Sequence, residues 1–70
     1  MLKYKFEPLE ALKEKGLSSY QLRRGGMLSE GCIQSLRDLR PISWSNIEKL
    51  CQLLECQPGD LLEYVPDAEN

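Results

Sequence analysis

Apolar residues are sparse but regularly placed between positions 18 and 38. Leu22, Leu28, Ile33 and Leu36 are aliphatic anchors among side chains that are nearly all polar. Gly25-Gly26 interrupts this pattern, because glycine costs about 1 kcal/mol inside a helix and tolerates the positive φ that a turn needs. The pattern therefore predicts two short helices joined by a tight turn.

Serines stand where both predicted helices begin. Ser18 can cap the first helix, with Gln21 three residues later completing a capping box. Ser29 can cap the second helix by accepting a hydrogen bond from a free backbone N–H. Two helices joined by so short a turn, the second with a polar outer face, have the geometry of a helix-turn-helix. The second helix of such a motif is the element that enters the DNA major groove.

The clearest helical stripe lies further along the chain. Ile47, Leu50, Cys51 and Leu54 fall at i, i+3, i+4 and i+7, and Ser43 is expected to cap this helix. Pro41 separates it from the preceding helix, because proline disfavours helix at the residue before it.

The two ends of the chain predict a different structure. Leu2, Tyr4 and Phe6 alternate with charged residues, as in a short half-buried strand, and residues 61–65 could form a second strand. A lone strand leaves backbone groups unpaired, so we expect the two to pair with each other. Between them, Pro8 favours the start of a helix that ends at Gly16, and residues 57–60 read as a turn or the start of a one-turn helix.

The 70-residue chain contains no histidine. Its length predicts a single domain over residues 1–70, with a frayed tail from about residue 66. No base is available to activate Ser18 or Ser19, and there is no phosphate-binding glycine loop, so we expect no enzymatic activity, metal or cofactor. The sequence shows neither a signal peptide nor an apolar run long enough to span a membrane, so a soluble, cytoplasmic protein is expected.

Charge is unevenly distributed along the chain. Residues 1–40 carry eight basic and five acidic side chains, whereas residues 41–70 carry one basic and six acidic ones. The formal charges of the two parts are +3 and −5, within an overall −2. This asymmetry favours a face for an anionic partner in the first part, although a merely solvated surface would look similar.

Cys32, Cys51 and Cys56 have no spacing typical of a zinc site or a disulfide framework. Small buried apolar residues are the simplest interpretation. Cys32 could be exposed along the second helix of the motif, where a redox role would be conceivable.

The order and spacing of several short motifs resemble one family over nearly the whole chain. The motifs are Tyr20-Gln21-Leu22, then Ser29, Ile33 and Leu36, then 46–51 (NIEKLC), and finally 56–64 (CQPGDLLEY). The chain resembles the small stand-alone Cro/CI-type (XRE) helix-turn-helix regulators of bacteria and their phages. The resemblance implies a mainly α, five-helix, lambda-repressor-like domain, to which the terminal ribbon would be added.

The resemblance also implies which residues would meet DNA. The helix from Ser29 to Asp38 would read bases, and the segment before it would cross the backbone. Base readout is expected from Glu30, Gly31, Gln34 and Ser35. Contacts that position the backbone phosphates are expected from Ser19, Gln21, Arg23, Arg24, Arg37 and Arg40.

The chain departs from the family pattern at three positions. Arg23 replaces the small residue that lets the two helices pack closely, so its side chain must reach outward or the packing must be looser. Met27 stands where the turn glycine is expected. Gly31 offers a base no side chain.

Two functions follow from this sequence. The first is a transcriptional repressor or autoregulator that binds double-stranded DNA as a homodimer, on half-sites about 34 Å apart. The second is a protein-interaction module, antitoxin-like or regulator-binding, that retains a degenerate helix-turn-helix. Trp44 is a candidate interface anchor, or alternatively a partial cover of the core.

Overall fold

The computed structural model describes residues 1–66, which form five helices and a small antiparallel ribbon. In chain order the elements are β1 (Leu2–Tyr4), α1 (Pro8–Glu14), α2 (Ser19–Arg24), α3 (Glu30–Arg37), α4 (Trp44–Leu54), α5 (Pro58–Leu61) and β2 (Leu62–Tyr64). The predicted mainly α, five-helix architecture is confirmed. Most of the predicted frayed tail lies outside the described residues.

Side-chain caps fix where three of the helices begin. The Ser18 hydroxyl accepts from the Gln21 N–H at 3.3 Å, and the Gln21 carbonyl oxygen Oε1 accepts from the Ser18 N–H at 3.0 Å. Ser29 caps α3 and Ser43 caps α4 in the same way, although without the reciprocal bond. All three predicted caps, and the capping box of α2, are confirmed.

Each of the first four helices is followed, within two residues, by a residue with positive φ. Gly16 and Gly26 hold this position after α1 and α2, with φ of 86° and 71°. Leu39 and Glu55 hold it after α3 and α4, with φ of 57° and 55°. In each case the next residue donates its N–H to a carbonyl five residues back, which satisfies a helix-end acceptor. Non-glycine residues are strained in this conformation, so the last two ends carry a local cost.

The two termini pair, as the alternation at the chain ends predicts. Leu2 lies opposite Tyr64, Lys3 opposite Glu63, and Tyr4 opposite Leu62. The first strand stops at Tyr4, so the predicted extension to Phe6 is wrong. After the pairing ends, the Lys5 N–H still donates to the Leu61 carbonyl at 2.9 Å, so the chain beyond β1 stays bonded to the last residue of α5.

A single core holds the helices together. It contains every predicted anchor of the region 18–38, together with Cys32 and the buried residues of α1, α4 and α5: Leu12, Leu22, Leu28, Cys32, Ile33, Leu36, Leu50, Leu54 and Leu61. On the predicted stripe of α4, Leu50 and Leu54 are buried, while Ile47 and Cys51 are half-buried against the core. No helix within residues 1–66 is long and apolar enough to cross a membrane.

Candidate nucleic-acid interface

The predicted helix-turn-helix is formed by α2, a five-residue connection and α3. Gly26, in its left-handed conformation, reverses the chain, and the Met27 N–H then donates to the Leu22 carbonyl at 3.0 Å. Leu22 and Leu28 are buried on the inner side of the turn. Met27 replaces the expected turn glycine without difficulty, because Gly26 supplies the positive φ one residue earlier.

The outer face of α3 is open to solvent near its start. Glu30, Gly31 and Gln34 are exposed, whereas Ser35 is half-buried. The opposite face carries Ile33 and Leu36 into the core. Three of the four residues predicted to read bases therefore lie on the exposed face, and Ser35 lies partly withdrawn from it.

Arg23 reaches outward from α2 to the start of α3. Its guanidinium Nη1 lies 3.2 Å from Oε2 of Glu30, and both side chains are substantially exposed. The long stem is therefore accommodated at the surface, in agreement with the outward alternative for this position. An exposed pair of this kind contributes about 0–1 kcal/mol, so it orients Glu30 without holding it firmly.

A second polar network runs along the end of α3. Arg37 donates to Oε1 of Gln34 at 3.3 Å, and the Gln34 amide donates to Oδ2 of Asp38 at 3.2 Å. Asp38 also lies 4.0 Å from Nε of Arg40. Two predicted phosphate contacts, Arg37 and Arg40, are thus connected through side chains of the predicted reading helix.

Arg24 is held by its own helix. Its Nη1 donates to the Tyr20 hydroxyl at 2.7 Å, and the guanidinium lies 5.9 Å from the centre of the tyrosine ring. Tyr20 was absent from the predicted site. The four-residue spacing of Tyr20 and Arg24 on a helix was the signal that could have found it.

Ser19, Arg23 and Arg37 line one open groove of about 500 Å³ between α1, α2 and α3. Lys13 lies on the same groove together with the acidic Glu7 and Glu10. Gln21 does not line it, and its side-chain oxygen is engaged in the cap of α2. The contribution of α1 could not be predicted from local sequence, since it depends on how α1 packs against the motif.

Cys32 lies on the inner face of α3 and is only 4% exposed, so the interpretation as a small buried apolar residue holds for it and the alternative of an exposed thiol is wrong. The register of α3 explains the difference, because Cys32 and Ile33 share the side that meets the core. Burial raises the pKa of the Cys32 thiol, only partly opposed by Lys49. A raised pKa disfavours the reactive thiolate, which leaves a redox role without a physical basis.

Trp44 is the first residue of α4 and is 91% exposed. The alternative that it covers the core is therefore wrong, since nearly all of its surface is open to solvent and it is not packed against the core. Within residues 1–66, no three His, Cys, Asp or Glu side chains are grouped closely enough to hold a metal ion.

Comparison with known proteins agrees with this geometry. Residues 9–67 match the family model described as the Cro/C1-type HTH DNA-binding domain. The chain is also 50% identical over 31 residues to YozG, an uncharacterised HTH-type transcriptional regulator of Bacillus subtilis strain 168. That match covers 44% of this chain and 37% of YozG. No solved structure matches the chain significantly. The match over residues 9–67 spans the whole helix-turn-helix and every described helix except the first residue of α1, and the chain belongs to the Cro/C1-type helix-turn-helix DNA-binding domain family.

Proposed function

We propose that this protein is a transcriptional regulator that occupies an operator as a repressor or autoregulator, with the helix from Ser29 to Asp38 in the major groove. One observation carries the proposal: the outer face at the start of α3 is exposed, and Arg23 and Arg37 flank it. The combination of a presented helix and flanking cations is what recognition of DNA requires. The cytoplasm would be its place of action.

Affinity would come mainly from phosphate contacts. Arg23, Arg24, Arg37 and Arg40 are all exposed, and each can replace a condensed counterion on the DNA backbone. Ser19, at the start of α2, would offer a hydroxyl and a backbone N–H to a phosphate on the same groove. Gln21 would serve chiefly by keeping the start of α2 rigid through its capping box.

Specificity would require polar side chains of α3 to exchange partners. Glu30 is paired with Arg23, and Gln34 is bonded to Arg37 and Asp38. A good base contact contributes about 1–3 kcal/mol, whereas an exposed ion pair contributes about 0–1 kcal/mol. DNA can therefore compete for both side chains. Releasing Glu30 would leave Arg23 available to a phosphate while the carboxylate accepts from a cytosine amino group. Ser35, which is half-buried further along the helix, would contact a base only through its short side chain.

A single domain of this size buries little DNA surface, so a homodimer on two half-sites about 34 Å apart is the expected working form. Each half-site would receive one α3.

Fluorescence anisotropy of labelled duplexes tests the proposal. The duplexes are the upstream region of the protein's own gene and a scrambled control, over a salt range of about 50–200 mM. We expect binding to both that weakens steeply with salt, and tighter binding to the upstream region. Arg37→Ala should flatten the salt dependence. Lys15→Ala is the matched control, because Lys15 lies beside Glu55 at 3.7 Å and not on the groove of Arg23 and Arg37.

Absence of binding to either duplex at the lowest salt would refute the proposal. The runner-up is the protein-interaction module. The observation that favours it is that Glu30 and Gln34 are already bonded within the chain and Gly31 has no side chain, which leaves α3 few free groups for reading bases. If the protein is such an interaction module, Arg37→Ala and Lys15→Ala should affect DNA binding equally.

A further inference from the structure

Two of the three cysteines meet where α4 ends. Glu55 adopts the left-handed conformation, with φ of 55°, and the Cys56 N–H then donates to the Cys51 carbonyl at 3.0 Å. This closure is a Schellman motif, in which the side chains of the two bonded residues commonly touch. In this chain both of those side chains are thiols. Their spacing of five residues gave no sign of the contact, because on a continuous helix the neighbours are three or four residues apart.

The two thiols lie within reach of each other. Both are free, and the Cys56 thiol is in hydrogen-bond contact with the Cys51 thiol. Around the backbone bond between these residues, standard bond lengths keep the two Cα atoms no more than roughly 7 Å apart. Native disulfides span Cα separations of about 4.4–6.8 Å. A sulfur–sulfur bond between these residues therefore needs little movement of the backbone.

The pair can be reached from solvent. Both thiols are half-buried at the edge of the core, and the side chains of Gln52, Glu55 and Gln57 around them are exposed. Cys32, by contrast, is almost completely buried on the inner face of α3. A small reagent in solution can therefore approach the pair while Cys32 stays protected by the fold.

We propose that Cys51 and Cys56 form a dithiol site that a low-molecular-weight disulfide, such as oxidised glutathione, converts into an intramolecular disulfide. One cysteine, as its thiolate, attacks the reagent, whose S–S bond breaks, and the released sulfur takes up the proton that the cysteine lost. The neighbouring cysteine then loses its proton and attacks the mixed disulfide, which releases the second sulfur of the reagent in the same way. The two protein thiols are thereby oxidised to one disulfide, while the reagent is reduced to two thiols.

The surroundings of the pair make this exchange slow near neutral pH. Burial, the Cys51 thiol and Asp60 raise the pKa of the Cys56 thiol, partly opposed by Lys15. The thiolate is the attacking species, so a raised pKa lowers the fraction of Cys56 that can attack. The site should therefore respond to a sustained oxidising change in its surroundings rather than to a brief one.

The disulfide would fix the junction between α4 and α5. A cross-link stabilises a fold mainly by restricting the unfolded chain, provided that the native geometry accepts it. Neither cysteine lines the groove of Arg23 and Arg37, so the bond leaves the surface proposed for DNA unchanged. Oxidation would thus make the folded chain more resistant to unfolding without altering its recognition helix.

Trypsin digestion and mass spectrometry of the full chain, treated with oxidised glutathione, test the proposal. Lys49 is the last basic residue, so Cys51 and Cys56 share the peptide 50–70, while Cys32 falls in the peptide 25–37. Free thiols are alkylated in denaturant before digestion. We expect peptide 50–70 to be unalkylated and two hydrogen atoms lighter than its reduced form, and peptide 25–37 to be alkylated. Dithiothreitol should reverse the change.

Thermal unfolding measures the consequence of the bond. The oxidised chain should unfold at a temperature about 4 °C or more above that of the reduced chain. Cys51→Ala and Cys56→Ala each leave one thiol of the pair, so each should retain one glutathione as a mixed disulfide and gain no such stability. Cys32→Ala is the matched control and should form the internal disulfide as the native chain does. Circular dichroism checks that each variant is folded.

Several results would refute the proposal. Peptide 50–70 could remain fully alkylated after prolonged treatment, or could carry two glutathiones. A disulfide between peptides 25–37 and 50–70 would instead give Cys32 a partner. An oxidised native chain no more stable than the reduced one would show that the bond strains the junction. The test involves no DNA, so a chain that forms the disulfide but binds neither duplex would reject the proposed function alone.

Discussion

The hydroxyl of Tyr4 donates a hydrogen bond of 2.6 Å to the backbone carbonyl of Arg40, 36 residues away in the sequence. The bond connects the terminal ribbon to the loop that follows α3. Burial raises the pKa of the Tyr4 phenol, with a smaller contribution from Cys32, so the group stays protonated as a donor at neutral pH. The ribbon thus holds the chain segment in which Arg40 would meet a phosphate.

Tyr4→Phe should remove this bond while keeping the ring that packs against the core. We expect the free energy of unfolding to fall by about 0.5–1.5 kcal/mol, as measured by urea denaturation. Tyr64→Phe is the control, because Tyr64 is exposed on the partner strand and should be neutral. Equal stabilities for Tyr4→Phe and the native chain would show that the bond makes no net contribution.

Substitutions at two of the positive-φ positions that follow the helices should change stability in opposite directions. Gly26→Ala should destabilise the protein by about 1–2 kcal/mol, because it forces a Cβ into the left-handed region. Glu55→Gly should stabilise it by about 0.5–1 kcal/mol, because it relieves the same strain after α4. The exposed pair of Glu55 with Lys15 is lost in this variant, and Lys15→Ala measures that contribution separately. Thermal unfolding of the three variants checks both signs, and a destabilised Glu55→Gly would contradict the explanation.

Gly31 is not required by the fold. It lies inside α3 without positive φ, and an added Cβ would meet nothing within 4 Å. Gly31→Ala should therefore raise the free energy of unfolding by about 0.5–1 kcal/mol. If the glycine serves close approach of α3 to DNA, the same variant should bind DNA more weakly although it is more stable.

Gly59→Ala is the matched control for Gly31→Ala. Gly59 lies in α5, also with open space at its Cβ position, and it is remote in sequence from the helix-turn-helix. Its substitution should leave DNA binding unchanged. Unchanged binding in both variants would show that Gly31 has no role at the interface.

Most of the fold could be predicted from local sequence because the interactions that start and end the helices join residues close together in the chain. The Ser18–Gln21 capping box, the cap by Ser29 and the glycine break are each formed within a few residues. The pairing of the termini was predictable because two isolated strands have unsatisfied backbone groups. This strand pairing is a long-range feature that could nevertheless be inferred from the local pattern of each segment.

What the sequence could not predict depends on packing between distant elements. The exposure of Trp44 follows from the direction in which α4 begins. The contribution of Lys13 to the groove beside Arg23 requires α1 to lie against the motif. Glu30 and Arg23 form one ion pair, which the number of charged residues in a segment does not show.

Stability should decrease at alkaline pH because of the buried thiol. The fold raises the pKa of Cys32 above its ordinary value of 9.0, so well below pH 9 the thiol is protonated in both folded and unfolded chains. Above pH 9 the unfolded chain releases the proton while the folded chain keeps it, so unfolding becomes more favourable. The loss lies between the unfolded and folded pKa values and cannot exceed about 1.4 kcal/mol per pH unit for one group. Tyr4 adds to it only above its ordinary value of 10.0.

Urea denaturation at a series of pH values from neutral to alkaline measures this dependence. Cys32→Ala should be less stable at neutral pH, because it leaves a cavity, but should lose less stability between pH 9 and 10 than the native chain. Cys56→Ala is the comparison, since the pKa of its half-buried thiol is also raised, by burial and by the neighbouring Cys51 and Asp60, so it too should lose less stability over this pH range. Parallel curves for the native chain and Cys32→Ala would mean that the thiol ionises equally in both states, contrary to its burial in the core.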